Sequence, residues 1–352
     1  MTHPTEFLGR VAREAAALDG SVKLPSWLRD GVVEAGWLLA PFPAEFGGGD
    51  LATTRQAASV DLLWSAGRAW LPLGRLIEGH INAVRLAWCY GASAQLARMA
   101  IDAQAGHWSA IWTADLPGAP LRLMDGVLHG QKAFAAGAEI VTRPVVTTHD
   151  RDGLERLAWV RLPVSGAQIV ARVDLLGMRG AGMARIDLTG ATASASDLIG
   201  APGDYLREPE LSVGAWRLLA VLAGGLAALA DAFVDDLRAR GWADDPHQRT
   251  RLGRVMIARE QALLWAREAG RRADGDPASL TEAADWIKLA RNAVDAACAE
   301  AVALVQRGAG FAAAARPHPI ERLCRDLTTL MRQPALDEAL DSAAATALRG
   351  EA

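Results

Sequence analysis

The chain has 352 residues, of which 51% are hydrophobic and 22% charged, with a formal net charge of −4. That length exceeds one ordinary core and points to two or three packed subdomains of a globular protein. The near-neutral balance, with no acidic or basic tail, excludes bulk attraction to nucleic acid or to membrane surfaces.

The opening MTHPTEFLGR lacks the apolar centre of a signal peptide, so a cytoplasmic protein is expected. Leu28, Val32 and Val33 fall on one face of a helical segment ending near Gly36. The stretch Pro41 to Gly49 is too rich in Pro and Gly to be helical and reads as a turn. Helical patterning resumes from Thr53 to Ala69 and from Leu76 to Met99, with Leu86, Tyr90 and Leu96 among the apolar positions. From about Trp108 the period changes. Trp159 to Val164 alternates in part and Ala184 to Thr189 alternates cleanly, which predicts strands with one buried face. Glycines from Gly118 to Gly190 cut this region into short pieces, expected to be antiparallel.

Helix returns after Pro209, where Leu218, Leu222, Leu226, Leu229, Phe233 and Leu237 form a helical stripe. The charge-free run Leu218 to Ala230 falls short of the ~20 residues that span a bilayer. A second helix is predicted from Pro246 to Arg272. A third, from Pro277 to Val305, carries Ser279 and Glu282 at capping-box spacing. The second holds seven arginines (249, 251, 254, 259, 267, 271 and 272), read mainly as a solvated face. Two further helices complete an up-and-down bundle. The expected class is α+β, mainly α. It comprises a helical domain over 1–107, a small antiparallel β domain over 108–208 and a four-helix-bundle-like domain over 209–352. Ala299 to Ala345 contains a helix end, the turn Gln306 to Gly310, the Pro317-His318-Pro319 loop and a helix bearing Arg325-Asp326, an arrangement suited to an anionic ligand. Cys89, Cys298 and Cys324 have no ligand spacing and read as buried free thiols. No metal-site spacing, Ser-His-Asp arrangement or Rossmann fingerprint is present.

Several segments, in order, resemble the acyl-CoA dehydrogenase superfamily. Pro43 to Gly48 is similar to its PEEYGG turn, Trp112 to Asp115 to the strand opening its β domain, and Gly130 to Ala138 to GxKxWITNG. Gly177 to Gly180 resembles GMRGS, Gln306 to Gly310 resembles QxxGGxG, and Pro319 to Asp326 resembles PVERLYRD. The resemblance implies FAD as cofactor, with Thr113 and Phe134 along the isoalloxazine ring. It places Gln306, Gly308, Ala309 and Gly310 against the adenosine half of a neighbouring subunit's cofactor, in a homodimer or homotetramer. Read alone, that loop is an ordinary glycine-rich helix end. Arg238 and Arg240 lie near the family's phosphate-binding arginine, and the loose alignment leaves open which of them, if either, takes that role.

The family's usual base falls on Pro334, and its alternative position on Trp216; neither side chain takes up a proton. The flavin-contacting Thr becomes Ala136, and the phosphate turn near Gly118-Ala119-Pro120 lacks its serine. Glu338 is the candidate replacement base, although Asp337 and Glu338 also suit a helix N-terminus. His318, between prolines, is the other titratable group nearby. The resemblance implies an FAD-dependent oxidoreductase acting on an acyl thioester, on CoA or a carrier protein, served by an electron-transfer flavoprotein or a flavin reductase. The alternatives are a two-component flavin monooxygenase and a ligand-binding subunit without turnover.

Overall fold

Residues 4–21, 23–163, 168–276 and 279–350 are described by the computed structural model. Five helices come first: α1 (Pro4–Asp19), α2 (Ser26–Glu34), α3 (Ser59–Ala69), α4 (Leu71–Tyr90) and α5 (Ser93–Gln104). The span expected as one helix over Leu76 to Met99 is two. Pro72 sits in the first turn of α4, where its missing N–H costs nothing, and the chain breaks at Gly91-Ala92. Thr53 to Ala58 is turn and 3-10 backbone rather than α-helix. Of the apolar face expected near Gly36, Leu28 and Val32 are buried and Val33 is exposed.

The middle third holds β1 (Trp108–Trp112), β2 (Arg122–Met124), β3 (Val127–His129), β4 (Gln131–Ala135), β5 (Val141–His149), β6 (Glu155–Trp159), β7 (Gln168–Arg172), β8 (Ala184–Asp187) and β9 (Leu198–Ile199). One sheet runs β3-β2-β5-β6-β9 with β1 on β5, and the other runs β4-β8-β7. The first sheet is mixed, since β1 pairs parallel with β5 from Trp108–Val141 to Trp112–Val146. The alternation expected to continue from Trp159 to Val164 ends as a strand at Trp159. The amides of Val160 and Leu162 then bond to the carbonyls of Pro144 and Thr142. Val164 and Gly166 lie outside the described residues.

The last third is α6 (Glu210–Gly214), α7 (Trp216–Ala239), α8 (Pro246–Ala273), α9 (Leu280–Ala309), α10 (Pro319–Leu330) and α11 (Leu336–Leu348). Every residue of the Leu218 to Leu237 stripe is buried. By length and composition the run Glu210–Ala239 is apolar enough to cross a membrane, which corrects the shorter span read from charge-free residues alone. Within the fold 72% of its most apolar window is buried, so its hydrophobicity serves helix packing. The α7 backbone meets α3 directly: a Cβ on Gly224 would lie 2.1 Å from the Trp64 carbonyl oxygen. Asp245 caps α8 by accepting the amides of His247 (2.7 Å) and Gln248 (3.0 Å). The capping box expected at α9 does not form. The Ser279 hydroxyl donates instead to the Asp276 carbonyl at 2.9 Å, and Pro277 lies outside the described residues. Arginines of α8 pair with Asp61, Asp244, Glu260, Glu268, Glu282 and Glu300, a solvated ion-pair face. Cys298 and Cys324 are buried thiols, whereas Cys89 is only half-buried.

Candidate functional site

A cavity of about 710 Å³ lies where α4, the β region, the α6–α7 junction and the end of α10 meet. That volume is within the ~300–1,000 Å³ of small-molecule sites. Its helical wall is built on α4. Arg75, Glu78, Asn82 and Arg85 recur every three or four residues and so share one face of an otherwise apolar, buried helix.

These side chains form a continuous network. Arg75 meets Glu78 at 2.5 Å, and Asn82 donates its amide N–H to the other oxygen of Glu78. The Asn82 oxygen accepts from Arg217 at 3.0 Å, and Arg217 donates onward to the side-chain oxygen of Gln56. Gln56 is fixed in turn by its own donation to the Ala273 carbonyl at 2.7 Å. Beside this chain Arg85 holds both oxygens of Glu210, at 2.5 and 3.3 Å. Burial, reinforced by the neighbouring Arg85 charge, lowers the Arg217 pKa to about 10.

The β wall carries Phe134, a residue 58% exposed that lines the cavity. It sits where the β4–β8 register shifts, at φ 50°. An aromatic residue in the left-handed region is a genuine outlier, and such strain gathers at functional sites. The bulge turns the ring off the sheet and over the cavity. Thr113 does not line the cavity. Its carbonyl accepts from Lys132 Nζ at 3.1 Å, and Lys132 also donates to Asp115 (2.6 Å) and Thr147 (2.8 Å). This buried lysine ties Trp112 to Asp115 onto the Gly130 to Ala138 segment, so two of the resembling motifs form one clamp.

The third wall is the loop containing Leu175, Met178, Ala181 and Met183. Asp326 on α10 accepts the Met178 amide at 2.6 Å, and burial raises the Asp326 pKa to about 6. Arg325 bonds Asp19 (2.8 Å), Glu321 (2.5 Å) and the Leu176 carbonyl (3.0 Å). The Arg325-Asp326 pair therefore fastens the loop to α10 and α1. Arg325 is thus not free to meet an anionic ligand.

The other expected residues are dispersed. Pro334 lines the cavity, while Glu338 is exposed on α11 and does not. Gln306 and Gly310 are exposed at the end of α9, and Gly308 and Ala309 are buried beside Phe233 and α8. Arg238 is exposed near Asp235, and Arg240 bonds Asp236 at 3.0 Å over the Trp242 ring. His318 caps α10 by accepting the Ile320 amide at 3.2 Å, its other nitrogen 3.4 Å from Asp236. Of the expected contacts only Phe134 reaches the cavity. The polar face of α4, with Glu210 and Arg217, escaped the sequence reading, which followed only the apolar positions of that stretch.

No protein-family model and no curated protein matches this sequence. Solved structures do. KijD3 in complex with FMN and dTDP-3-amino-2,3,6-trideoxy-4-keto-3-methyl-D-glucose matches with a TM-score of 0.82 at 22% identity, covering 99% of this chain and 92% of that one. FkbI, for biosynthesis of the methoxymalonyl extender unit of Fk520, matches with a TM-score of 0.81 at 21% identity over 99% of each chain. FMN-bound TdsC from Paenibacillus sp. A11-2, a dibenzothiophene monooxygenase, matches with a TM-score of 0.82 at 17% identity, covering 99% and 96%. At these identities the likeness carries the fold, which is acyl-CoA dehydrogenase-like.

Proposed function

We propose that the chain is a flavin-dependent monooxygenase that works with reduced flavin from a separate reductase. The observation that carries this reading is the state of the cavity's acids. Pro334 faces the cavity without a proton acceptor, and both oxygens of Glu78 and of Glu210 already accept from protein donors. Dehydrogenation of an acyl thioester needs a carboxylate free to take the α-proton. Oxygen insertion needs no such base.

The residues present suit a flavin. Phe134 offers an exposed ring, and Ile111, Met178, Met183 and Leu330 supply apolar surface that excludes water. A bound reduced flavin supplies the activation of dioxygen, one oxygen atom entering the substrate and the other leaving as water. The protein's part is to stack the ring on Phe134 and to hold the substrate against the α4 wall. FMN, which the KijD3 and TdsC structures hold, is the flavin assigned to this cavity. FAD would add the Gln306 to Gly310 loop of a second subunit, in the homodimer or homotetramer that the resemblance implies.

The test is a visible spectrum and flavin extraction after reconstitution, followed by oxygen uptake with chemically reduced flavin. Oxygen consumption coupled to an oxygenated product supports the reading. The second reading, an acyl-thioester dehydrogenase, requires Glu78 or Glu210, the two carboxylates that line the cavity, to be released from its protein donors when substrate binds. It predicts anaerobic bleaching by an acyl-CoA that Glu78→Gln or Glu210→Gln abolishes. Glu338→Gln is expected to leave bleaching intact, since that side chain lies outside the cavity lining. Protein that takes up neither flavin sinks both enzyme readings and leaves a non-catalytic ligand-binding subunit.

A further inference from the structure

The chain has two tyrosines, Tyr90 and Tyr205, and both line the cavity. Their charge surroundings differ. Tyr90 ends α4 near Asp204, Arg207 and Glu210, whereas Tyr205 lies near Arg75, Glu78 and Glu155. Along α4, Arg75 and Tyr90 are about 22 Å apart, so the two phenols serve different ends of the cavity.

Tyr205 belongs to the end that holds Phe134. An antiparallel bridge joins Asp115 to Lys132, and the Ala133 amide donates to the Ala114 carbonyl at 2.8 Å. That register brings Thr113 level with Phe134. The Thr113 side chain, outside the cavity lining, meets the phenol of Tyr205, which is part of it. Tyr205 thereby carries a polar atom from the Thr113 position to the cavity surface. The residue is half-buried, its ring packed on the core, and its hydroxyl bonds to no carboxylate or carbonyl among the described residues. Burial, opposed by the Thr113 hydroxyl and aided by Glu155 and Glu78, raises the Tyr205 pKa, so the phenol keeps its proton. Thr113 favours the phenolate, the sense of a hydroxyl that donates to it, which leaves the phenol's own hydrogen for another acceptor.

On the footing of the flavin-dependent reading, we infer that Tyr205 touches the cofactor, its phenol donating a hydrogen bond to the polar edge of an isoalloxazine ring stacked on Phe134. That edge offers carbonyl oxygens and unprotonated ring nitrogens, for which a neutral donor is suited. Stacking on Phe134 holds the face of the ring but lets it turn in its own plane; a hydrogen bond at the edge fixes that rotation.

FMN affinity by equilibrium dialysis and the absorption maxima of bound FMN are compared in wild type, Tyr205→Phe, Tyr90→Phe and Thr113→Val. Tyr205→Phe is expected to weaken FMN binding about fivefold, the scale of one neutral hydrogen bond, and to shift the maxima. Tyr90→Phe should stay within about twofold of wild type with unmoved maxima. If the phenol only braces Thr113, Thr113→Val reproduces the spectral shift, and that result overturns the proposal. Wild-type affinity and maxima in Tyr205→Phe overturn it as well. Protein labelled with 3-fluorotyrosine decides the matter even where Tyr205→Phe does not fold. Its two fluorine resonances are assigned with Tyr90→Phe, and FMN should move that of Tyr205 while leaving that of Tyr90 in place. Movement of the Tyr90 resonance alone overturns the proposal. Wild-type protein that takes up no FMN sinks the functional reading together with this contact, whereas FMN bound without regard to Tyr205 sinks the contact alone.

Discussion

Two buried titratable side chains act on stability in opposite directions over one pH window. His80 donates its Nε2–H to the Leu38 carbonyl at 2.8 Å and accepts the Ser109 amide at Nδ1 at 3.0 Å; burial lowers its pKa to about 4. The unfolded chain takes up this proton near 6.5, so the unfolded state binds more protons as pH falls and stability drops. Asp326 behaves in reverse. Its native pKa, about 6 because of burial, exceeds the unfolded value, so the native state holds the extra proton and stability drops as pH rises. Between about pH 4 and 6 the two slopes cancel, each worth up to about 1.4 kcal/mol per pH unit. Asp326→Asn is expected to expose the His80 slope, making urea-derived stability rise with pH there; His80→Gln should bend it the other way. An unchanged slope in both variants would show that neither group titrates in this window. A second expectation concerns Asn82, the one neutral link between Glu78 and Arg217. Asn82→Leu strips a partner from each and should cost about 2 kcal/mol in urea unfolding. At this scale the sequence was legible in part. The three-and-four spacing of Arg75, Glu78, Asn82 and Arg85 inside an apolar helix was a readable sign of a wetted face. The pairing of Arg217 with Gln56 joins residues far apart in the chain and leaves no local trace.

Among the elements, α7 shows where patterning suffices and where it fails. Its stripe from Leu218 to Leu237 was readable because the helical period is local, and all of it is buried. Its contact with α3 was not, because a glycine's value lies in what approaches it. Gly224→Ala would place a methyl 2.1 Å from the Trp64 carbonyl oxygen, which cannot rotate aside. The helices must separate, at a cost of about 1–3 kcal/mol, visible as a lower midpoint in denaturant with the m-value unchanged. The same limit explains the sheet. Alternation identifies a strand but not its partner, and the parallel pairing of β1 with β5 depends on a crossover the pattern does not contain. It also explains the single helix expected over Leu76 to Met99: the apolar period runs on across Gly91, while the backbone does not.

For the whole molecule, the order of helices, strands and helices was legible because each third has its own period. The resembling motifs served the fold more than the site: Lys132, Asp326 and Arg325 all tie segments together. Phe134→Ala tests the one expected contact that reaches the cavity. Its loss should weaken FMN retention about tenfold, read by equilibrium dialysis, and an unaltered affinity would remove Phe134 from the cofactor site.

The link from the Met178 amide to Asp326 has a consequence for exchange with solvent. Met178 lines the cavity, and its N–H is donated to a residue of α10, so this hydrogen exchanges only when the loop and the helix part. A ligand that fills the cavity binds the closed arrangement alone and lowers the population of the parted one by mass action. Deuterium uptake at the Met178 amide should therefore slow in proportion to occupancy. That makes this single amide a reporter of cavity filling for any compound, coloured or not, before an activity is in hand.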